Sequence, residues 1–382
     1  MSSRGFVRPE LGGLLTLALC LCPTLEGCSN SGNSGDNSPA GSGATGVSGS
    51  LNAGGAAGSS AGVAGSGGDA HGGVGNGGQT PSMGGAAGMT SAGASSAGMS
   101  SAGSGGSAAT GDRSPDATCA RFRADTANLS EGTWSGSVDG CNAGDISADG
   151  RENALRLFNL MRWLADLPAV ATEEARNQQA QACSLMMTAN DMLSHMPPMD
   201  WKCYTDLGAK GASTSNISGG PGVASVLSYM VDDGNETTFG HRRIVLSNEL
   251  GPIGLGSAGK DGSSCMQNIG GTGKAGKAWM AWPPPGAFPI QAYNDVYKRS
   301  LDATGWSIQS KSIDLSAATV TIMSGGQAQP VRVEQLTGNY GGAKAIRIVP
   351  DGWKAAAGVT YAVSVAGTAT PIAYEIQLID CK

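Results

Sequence analysis

Apolar residues return with a helical spacing in the middle of the chain. Between Arg151 and Leu167 they recur every three or four positions, which predicts an amphipathic helix that ends at Pro168. The same spacing predicts a second helix from Thr172 to Leu193, stopped by the two prolines at 197–198. These two helices are expected to bury their apolar sides in a common core.

Further helical and strand patterns follow along the chain. The stretch 221–246 has helical spacing with a polar break at Asp232–Asn235, so it predicts one helix before the break and a short one after it. Two short apolar runs, 252–257 and 265–269, flank a Gly/Asp turn and predict a β-hairpin. Residues 116–150 are rich in Gly, Ser and Asn and are predicted to form a loop. Together these elements predict an α+β domain.

After Trp306 the spacing of apolar residues changes to two. Strand-length runs alternate with Gly and Asp-Gly turns about ten residues apart, which predicts a small β-sandwich. The Pro-rich segment 283–285 marks the expected joint, so we predict domains at 116–286 and 287–382. The predicted strands are 319–323, 331–336, 343–349, 359–365 and 372–379.

The N-terminus predicts export and a membrane anchor. Two arginines precede an apolar run at 11–25, which predicts a secretory signal over residues 1–27. The run ends in Leu25-Glu26-Gly27-Cys28, which resembles the bacterial lipobox and makes Cys28 the expected lipid-carrying residue. An ordinary secretory signal is the alternative. Residues 28–115 are rich in Gly, Ser and Ala and are predicted to be a disordered tether. We therefore expect an exported lipoprotein at the outer membrane or cell surface.

Composition limits the classes of partner and indicates whether the cysteines are oxidised. The net charge is −6 with 14% charged residues and no basic run, so nucleic-acid binding is not expected. Beyond residue 115 there are six cysteines, an even number that predicts three disulfides in an exported chain. Sequence separation alone favours neighbouring pairs, namely Cys119–Cys141, Cys183–Cys203 and Cys265–Cys381.

Two histidines are the candidates for chemistry. The chain has three, and since His71 lies in the tether, His195 and His241 remain. Imidazole is a common metal ligand and general base near neutral pH. Carboxylates such as Asp233 and Glu236 lie near them in sequence, so the residue types allow a His/His/carboxylate site. Two unrelated histidines with ordinary hydrogen bonds fit the residue types as well.

Short motifs along the chain, taken together, point to a family. They are Asn159-Leu160-Met161-Arg162, Leu193-Ser194-His195, Ser215-Asn216-Ile217, Gly240-His241-Arg242-Arg243 and Gln267-Asn268-Ile269-Gly270. In this order and spacing they resemble the CAP superfamily (cysteine-rich secretory, antigen 5 and pathogenesis-related 1 proteins) in its bacterial SCP-like form. The match runs from about Asp149 to Gly286. The resemblance implies an α-β-α sandwich with an antiparallel sheet between helical layers.

The resemblance also implies a cleft in which two histidines and two acids form a tetrad that binds a divalent cation in some members. His195 and His241 match the two histidine positions. Ser215 stands where the family has its first carboxylate, and the neighbouring Asn216 is expected to tie loop backbone.

For the second acid, the resemblance leaves Asp233 or Glu236 as a substitute. Zinc in proteins takes about four ligands, so we expect a cleft that keeps its shape but holds metal poorly. The expected cofactor is none, or a weakly held divalent cation such as zinc or calcium.

These observations predict a tethered, non-catalytic binding or interaction protein. Its expected partners are the membrane through Cys28, and a lipid-like ligand, a small molecule or a protein at the cleft. The alternative is a metal-dependent hydrolase or protease that uses His195 and His241 as ligands. A third hypothesis is a structural surface protein without a small ligand.

Overall fold

The computed structural model describes residues 111–382. The predicted signal, Cys28 and the tether up to residue 110 lie outside the described residues. The described part combines helices and β-sheets, which confirms the predicted α+β class.

Seven α-helices precede or interrupt the strands of this region. They are α1 (Pro115–Thr126), α2 (Ala148–Leu164), α3 (Glu174–Asn190), α4 (Asp206–Ser213), α5 (Gly222–Val231), α6 (Gly240–Val245) and α7 (Leu301–Thr304). Helices α2, α3, α5 and α6 confirm the predicted helical stretches, including the polar break between α5 and α6. The prediction of a loop over 116–150 is wrong for α1. The Ser114 hydroxyl accepts a hydrogen bond from Ala117 N and Pro115 opens the first turn, so local capping forms a helix that has few apolar residues.

A three-stranded antiparallel sheet lies between two layers of helices. Its strands are β1 (Ser215–Ser218), β2 (Gly254–Ser257) and β3 (Ser264–Gln267), in the order β1-β3-β2. The β2–β3 pair confirms the predicted hairpin. Cys265 and Ile217 pack with α3 and α4 on one face, whereas Leu255 and Met266 pack with α2 and α5 on the other. A Cβ at Gly256 would lie 2.3 Å from the backbone of α3, so glycine there permits the close approach of β2.

Two further sheets form the C-terminal part. Their strands are β4 (Trp279–Trp282), β5 (Gly286–Pro289), β6 (Trp306–Ser310), β7 (Thr319–Ser324), β8 (Gln327–Gln329), β9 (Val331–Gln335), β10 (Lys344–Pro350), β11 (Thr360–Ala366) and β12 (Ile372–Ile379). One sheet has the order β4-β6-β10-β9 and the other β5-β12-β11-β7-β8. Strands β7, β9, β10, β11 and β12 confirm the five predicted strands.

A shared apolar core joins the helices to these two sheets. Phe158 of α2, Trp306 of β6 and Ile376 of β12 belong to one cluster of buried side chains. Strand β4, which precedes Gly286, pairs with β6, which follows it. Residues on both sides of the predicted domain joint therefore share sheets as well as core.

The six cysteines form three disulfides, and the predicted neighbouring pairs are wrong. The bridges are Cys119–Cys381, Cys141–Cys203 and Cys183–Cys265. Packing decides the partners: α1 lies against β5, next to the C-terminal strand β12, and α3 lies on β3. The bridges indicate an extracellular or otherwise oxidising environment. Within residues 111–382, no helix is both long and apolar enough to cross a membrane.

Candidate functional site

Both candidate histidines line the same open cleft. The cleft has a volume of about 320 Å³, and His195, His241, Ser215 and Asn216 all contribute to its wall. It lies where the loop after α3, strand β1 and helix α6 meet. The structure therefore brings together four of the six residues that the sequence proposed for the cleft.

His195 is held by the backbone of a neighbouring helix. It follows α3, whose end is marked by Asp191 in the left-handed region, at φ 47°. Its Nδ1 lies 2.9 Å from the carbonyl oxygen of Ala212 in α4. A carbonyl can only accept a hydrogen bond, so Nδ1 carries the proton and Nε2 keeps its lone pair for a ligand.

His241 is held by a buried carboxylate at the start of α6. Its Nδ1 lies 2.8 Å from Oδ1 of Asp232, and its side chain is 23% exposed. Because the carboxylate accepts the Nδ1–H, Nε2 of this ring also keeps its lone pair. The ring of Tyr229 packs beside the imidazole, with 4.9 Å between the ring centroids.

Asp232 is the carboxylate that contacts His241, and sequence analysis did not single it out from the other acids near the histidines. Its side chain is fully buried, and it also accepts hydrogen bonds from Arg242 N and from Asn235 Nδ2, each at 3.0 Å. It caps the C-terminus of α5 in the left-handed conformation, with φ 55°. The available signal was its position directly after the last apolar residue of α5, where Asp tolerates the left-handed turn that ends a helix.

The two acids that the sequence favoured do not line the cleft. Oδ2 of Asp233 accepts a hydrogen bond from Arg299 at 3.3 Å, and Oε1 of Glu236 accepts one from Gly234 N at 3.0 Å. The chain reverses at Asp232, so this carboxylate contacts α6 whereas Asp233 is exposed. The expectation that Asp233 or Glu236 stands in the cleft as its second acid is therefore corrected: neither lines the cleft, and the acid that contacts a cleft histidine is Asp232, buried behind the His241 ring.

A buried arginine connects the ends of these elements. Arg242 is fully buried and donates to the carbonyl oxygens of Met230 at 2.6 Å, Val231 at 2.8 Å and Gly305 at 2.9 Å. Burial lowers the pKa of its guanidinium to about 9, and the negative charge of Asp232 opposes that shift. Arg242 thus ties the end of α5 and the start of α6 to the chain just before β6.

The two predicted residues on β1 have different environments. Nδ2 of Asn216 donates to the carbonyl oxygen of His241 at 3.3 Å, which ties β1 to α6. Oγ of Ser215 is buried and has no hydrogen-bond partner within residues 111–382. A buried hydroxyl without a partner is costly, which marks Ser215 as a group that a ligand or water would satisfy.

The C-terminal part supplies one wall of the cleft. Tyr340, in the loop between β9 and β10, lines the cleft, and its ring lies close to Gly240 at the start of α6. Arg243 of α6 donates hydrogen bonds of 2.7 to 2.8 Å to four carbonyl oxygens, three of which belong to this loop. The acceptors are Thr238, Thr337, Gly338 and Gly342. The loop position is therefore fixed by the same helix that carries His241.

The donor set fits a metal ion poorly. No carboxylate of the described region lines the cleft. Asp232 lies behind the His241 ring, and its two oxygens already accept hydrogen bonds from His241 Nδ1 and Arg242 N. Within residues 111–382, no group of three or more His, Cys, Asp or Glu side chains is arranged to hold a metal ion. Two imidazole nitrogens fall short of the roughly four ligands of a zinc site.

No protein-family model matches the chain, and neither a curated protein nor a solved structure does. The resemblance to the CAP superfamily therefore stays a prediction.

Proposed function

We propose that this chain is a membrane-tethered, CAP/SCP-like protein that binds a small ligand in the cleft between His195 and His241 and does not catalyse a reaction. The layered arrangement supports the family part of the proposal, because helices cover both faces of a three-stranded antiparallel sheet. The disulfides agree with the exported location. The lipid anchor at Cys28 remains part of the proposal.

The observation that carries the proposal is the pair of imidazoles in one cleft, each with Nδ1 occupied and Nε2 left for a ligand. The rest of the wall is formed by hydroxyl and amide side chains and by Ile244 and Ile269. Ligand sites commonly combine apolar surface with a few well-placed polar groups.

The arrangement argues against acyl-transfer chemistry. His241 and Asp232 form the pair that orients a catalytic base, but Ser215 Oγ hydrogen-bonds to neither imidazole. A serine nucleophile needs a base within hydrogen-bond reach to remove its proton. Ligand binding by the same imidazoles does not need a hydrogen bond between a serine hydroxyl and a base.

A ligand-retention experiment tests this proposal. The full chain is purified from the cells that produce it, extracted with solvent and analysed by mass spectrometry. The variant Ser213→Trp fills the mouth of the cleft from an exposed position, and Ser316→Trp places the same side chain on an exposed loop of the β part. We expect a small molecule with the wild type and with Ser316→Trp but not with Ser213→Trp. Identical extracts from all three chains, or a hydrolytic turnover lost in His195→Ala, would contradict the proposal.

One observation favours the metal-dependent hydrolase as the second candidate. Metal-binding histidines usually donate their second ring N–H to a carbonyl or carboxylate, as both imidazoles do here. Calorimetric titration with zinc and with calcium separates the candidates. We expect no stoichiometric binding of either ion. One-to-one binding that disappears in His195→Ala would favour the hydrolase instead.

A further inference from the structure

A second cavity continues the histidine cleft. It has a volume of about 440 Å³ and shares Ile244, Ile269 and Tyr340 with the cleft. The two cavities therefore adjoin, and together we call them the groove; its lining includes His195 in the cleft and Lys311 in the second cavity. A groove of this extent suits a chain-like ligand better than a compact one.

An amide without a partner lies on the wall of the second cavity. Oδ1 of Asn268 accepts a hydrogen bond from Asn216 N at 3.3 Å, which fixes the orientation of the side chain. Nδ2 of Asn268 is buried and has no hydrogen-bond acceptor within residues 111–382. An unpaired buried N–H is energetically costly, so a ligand that brings an acceptor there gains binding energy.

Apolar and aromatic groups lie beside this amide. Ile244 is buried and Ile269 half-buried, and both face the groove along with Asn268. Tyr340 is 38% exposed and belongs to both cavities. A ring in this position offers an apolar face on which a flat ligand surface can stack.

The charge of the groove favours a neutral ligand. Lys311 and Glu249 line the second cavity and form an ion pair with each other. Within residues 111–382, the remaining titratable side chains that line the groove are the two histidines and Tyr340. The groove thus has no uncompensated charge to attract a phosphate or a polyanion.

We infer that the groove binds a neutral oligosaccharide that carries N-acetyl groups. The acetamido carbonyl accepts from Asn268 Nδ2, its methyl group contacts Ile244 and Ile269, and a sugar ring stacks on Tyr340. Ser215 Oγ, the other unpartnered polar atom of the groove, pairs with a sugar hydroxyl. The inference rests on the proposed function, since it names the ligand class of the same site.

Titration of the full chain with two matched sugars tests the acetamido assignment. The probes are tetra-N-acetylchitotetraose and cellotetraose, which share a β-1,4 backbone but differ in the acetamido group. We expect the first to bind at least about tenfold more tightly than the second, because the unpaired amide is satisfied only by the first. The measurement is isothermal titration calorimetry.

Single variants test the named contacts. Asn268→Asp keeps an acceptor for Asn216 N but removes the donor, so it should weaken chitotetraose binding about tenfold. Tyr340→Leu should weaken it as well, whereas Tyr340→Phe keeps the ring and should bind like the wild type. The control is Tyr297→Leu, because Tyr297 is 59% exposed and lines neither cavity. Circular dichroism melts check that each variant is folded.

The outcomes separate this inference from the proposed function. Absence of chitotetraose binding by the wild type overturns the inference, as does equal binding of both sugars or unchanged binding in Asn268→Asp and Tyr340→Leu. If the extraction experiment still shows a ligand that Ser213→Trp excludes, the cleft remains a binding site and only the sugar assignment fails. If Ser213→Trp leaves the extract unchanged, the proposed function fails too.

Discussion

At the scale of single residues, Asp232 holds the His241 side of the cleft in place. One buried carboxylate accepts hydrogen bonds from the His241 ring, the Arg242 backbone and the Asn235 amide. It also places a negative charge near the buried Arg242 guanidinium. Removing it would leave His241 without its partner and a buried cation without its nearest countercharge.

The neighbouring acids Asp232 and Asp233 should respond differently to truncation. Asp232→Ala should lower the free energy of unfolding by about 3–5 kcal/mol, because a buried ionic and hydrogen-bonding partner is lost. Asp233→Ala removes an exposed pair with Arg299 and should cost no more than about 1 kcal/mol. Urea unfolding measures both values. Equal losses would show that Asp232 has no special role.

At this scale the sequence predicts some site residues and not others. His195 and His241 are the only histidines beyond the tether, so residue type alone singles them out. Three acids lie within five positions at 232–236, and their identity gives no order of preference. The choice among them depends on the left-handed turn at Asp232, which is set by packing of α5 against α6.

At the scale of elements, α6 connects the cleft to the β part. Arg243 donates to four carbonyl oxygens, three of which belong to the loop between β9 and β10. This loop carries Tyr340. The position of the β9–β10 loop, which forms one wall of the cleft, therefore depends on Arg243 of α6, the helix that carries His241.

Arg243→Lys should loosen the loop at residues 337–343. An ammonium group donates from one atom and cannot reach all the carbonyls that the planar guanidinium serves from two. We expect faster hydrogen exchange in this loop and in α6, with little change in α3. Arg332→Lys, at an exposed ion pair on β9, is the matched control and should leave the exchange unchanged. Unaltered exchange in Arg243→Lys would contradict the anchoring role.

Helix α1 should depend on its disulfide. It has few apolar side chains to bury, and Cys119–Cys381 joins it to the C-terminus. In the double variant Cys119→Ala and Cys381→Ala, we expect hydrogen exchange across 115–126 to rise by at least about tenfold while α3 stays protected by its own bridge. Equal protection of α1 in the variant and the wild type would contradict this.

The elements that the sequence predicts are those with a strong period. Helices α2, α3 and α5 show an apolar stripe, and the C-terminal strands show alternation between turn residues. Helices α1 and α4 and strand β1 are short or polar, so capping and tertiary contacts rather than periodicity define them. Disulfide partners depend on which distant elements pack together, which separation in sequence does not encode.

At the scale of the whole molecule, helices and β-sheets share one buried cluster. Phe158, Trp306 and Ile376 come from different parts of the chain and belong to the same core. We expect residues 111–382 to unfold in one cooperative transition, with coincident curves from circular dichroism and tryptophan fluorescence. Two separated transitions, or a folded fragment of residues 116–286 alone, would contradict this.

The most direct test concerns the two imidazoles of the cleft. Long-range ¹H–¹⁵N spectra of the histidine side chains report which ring nitrogen carries the proton, at a pH where both rings are neutral. We predict the Nδ1–H form for His195 and His241, because each Nδ1 donates to a fixed oxygen. We also expect both Nε2 signals to shift together when the natural ligand or tetra-N-acetylchitotetraose is added. A proton on Nε2 of either ring, or a ligand response confined to one ring, would contradict a shared binding cleft.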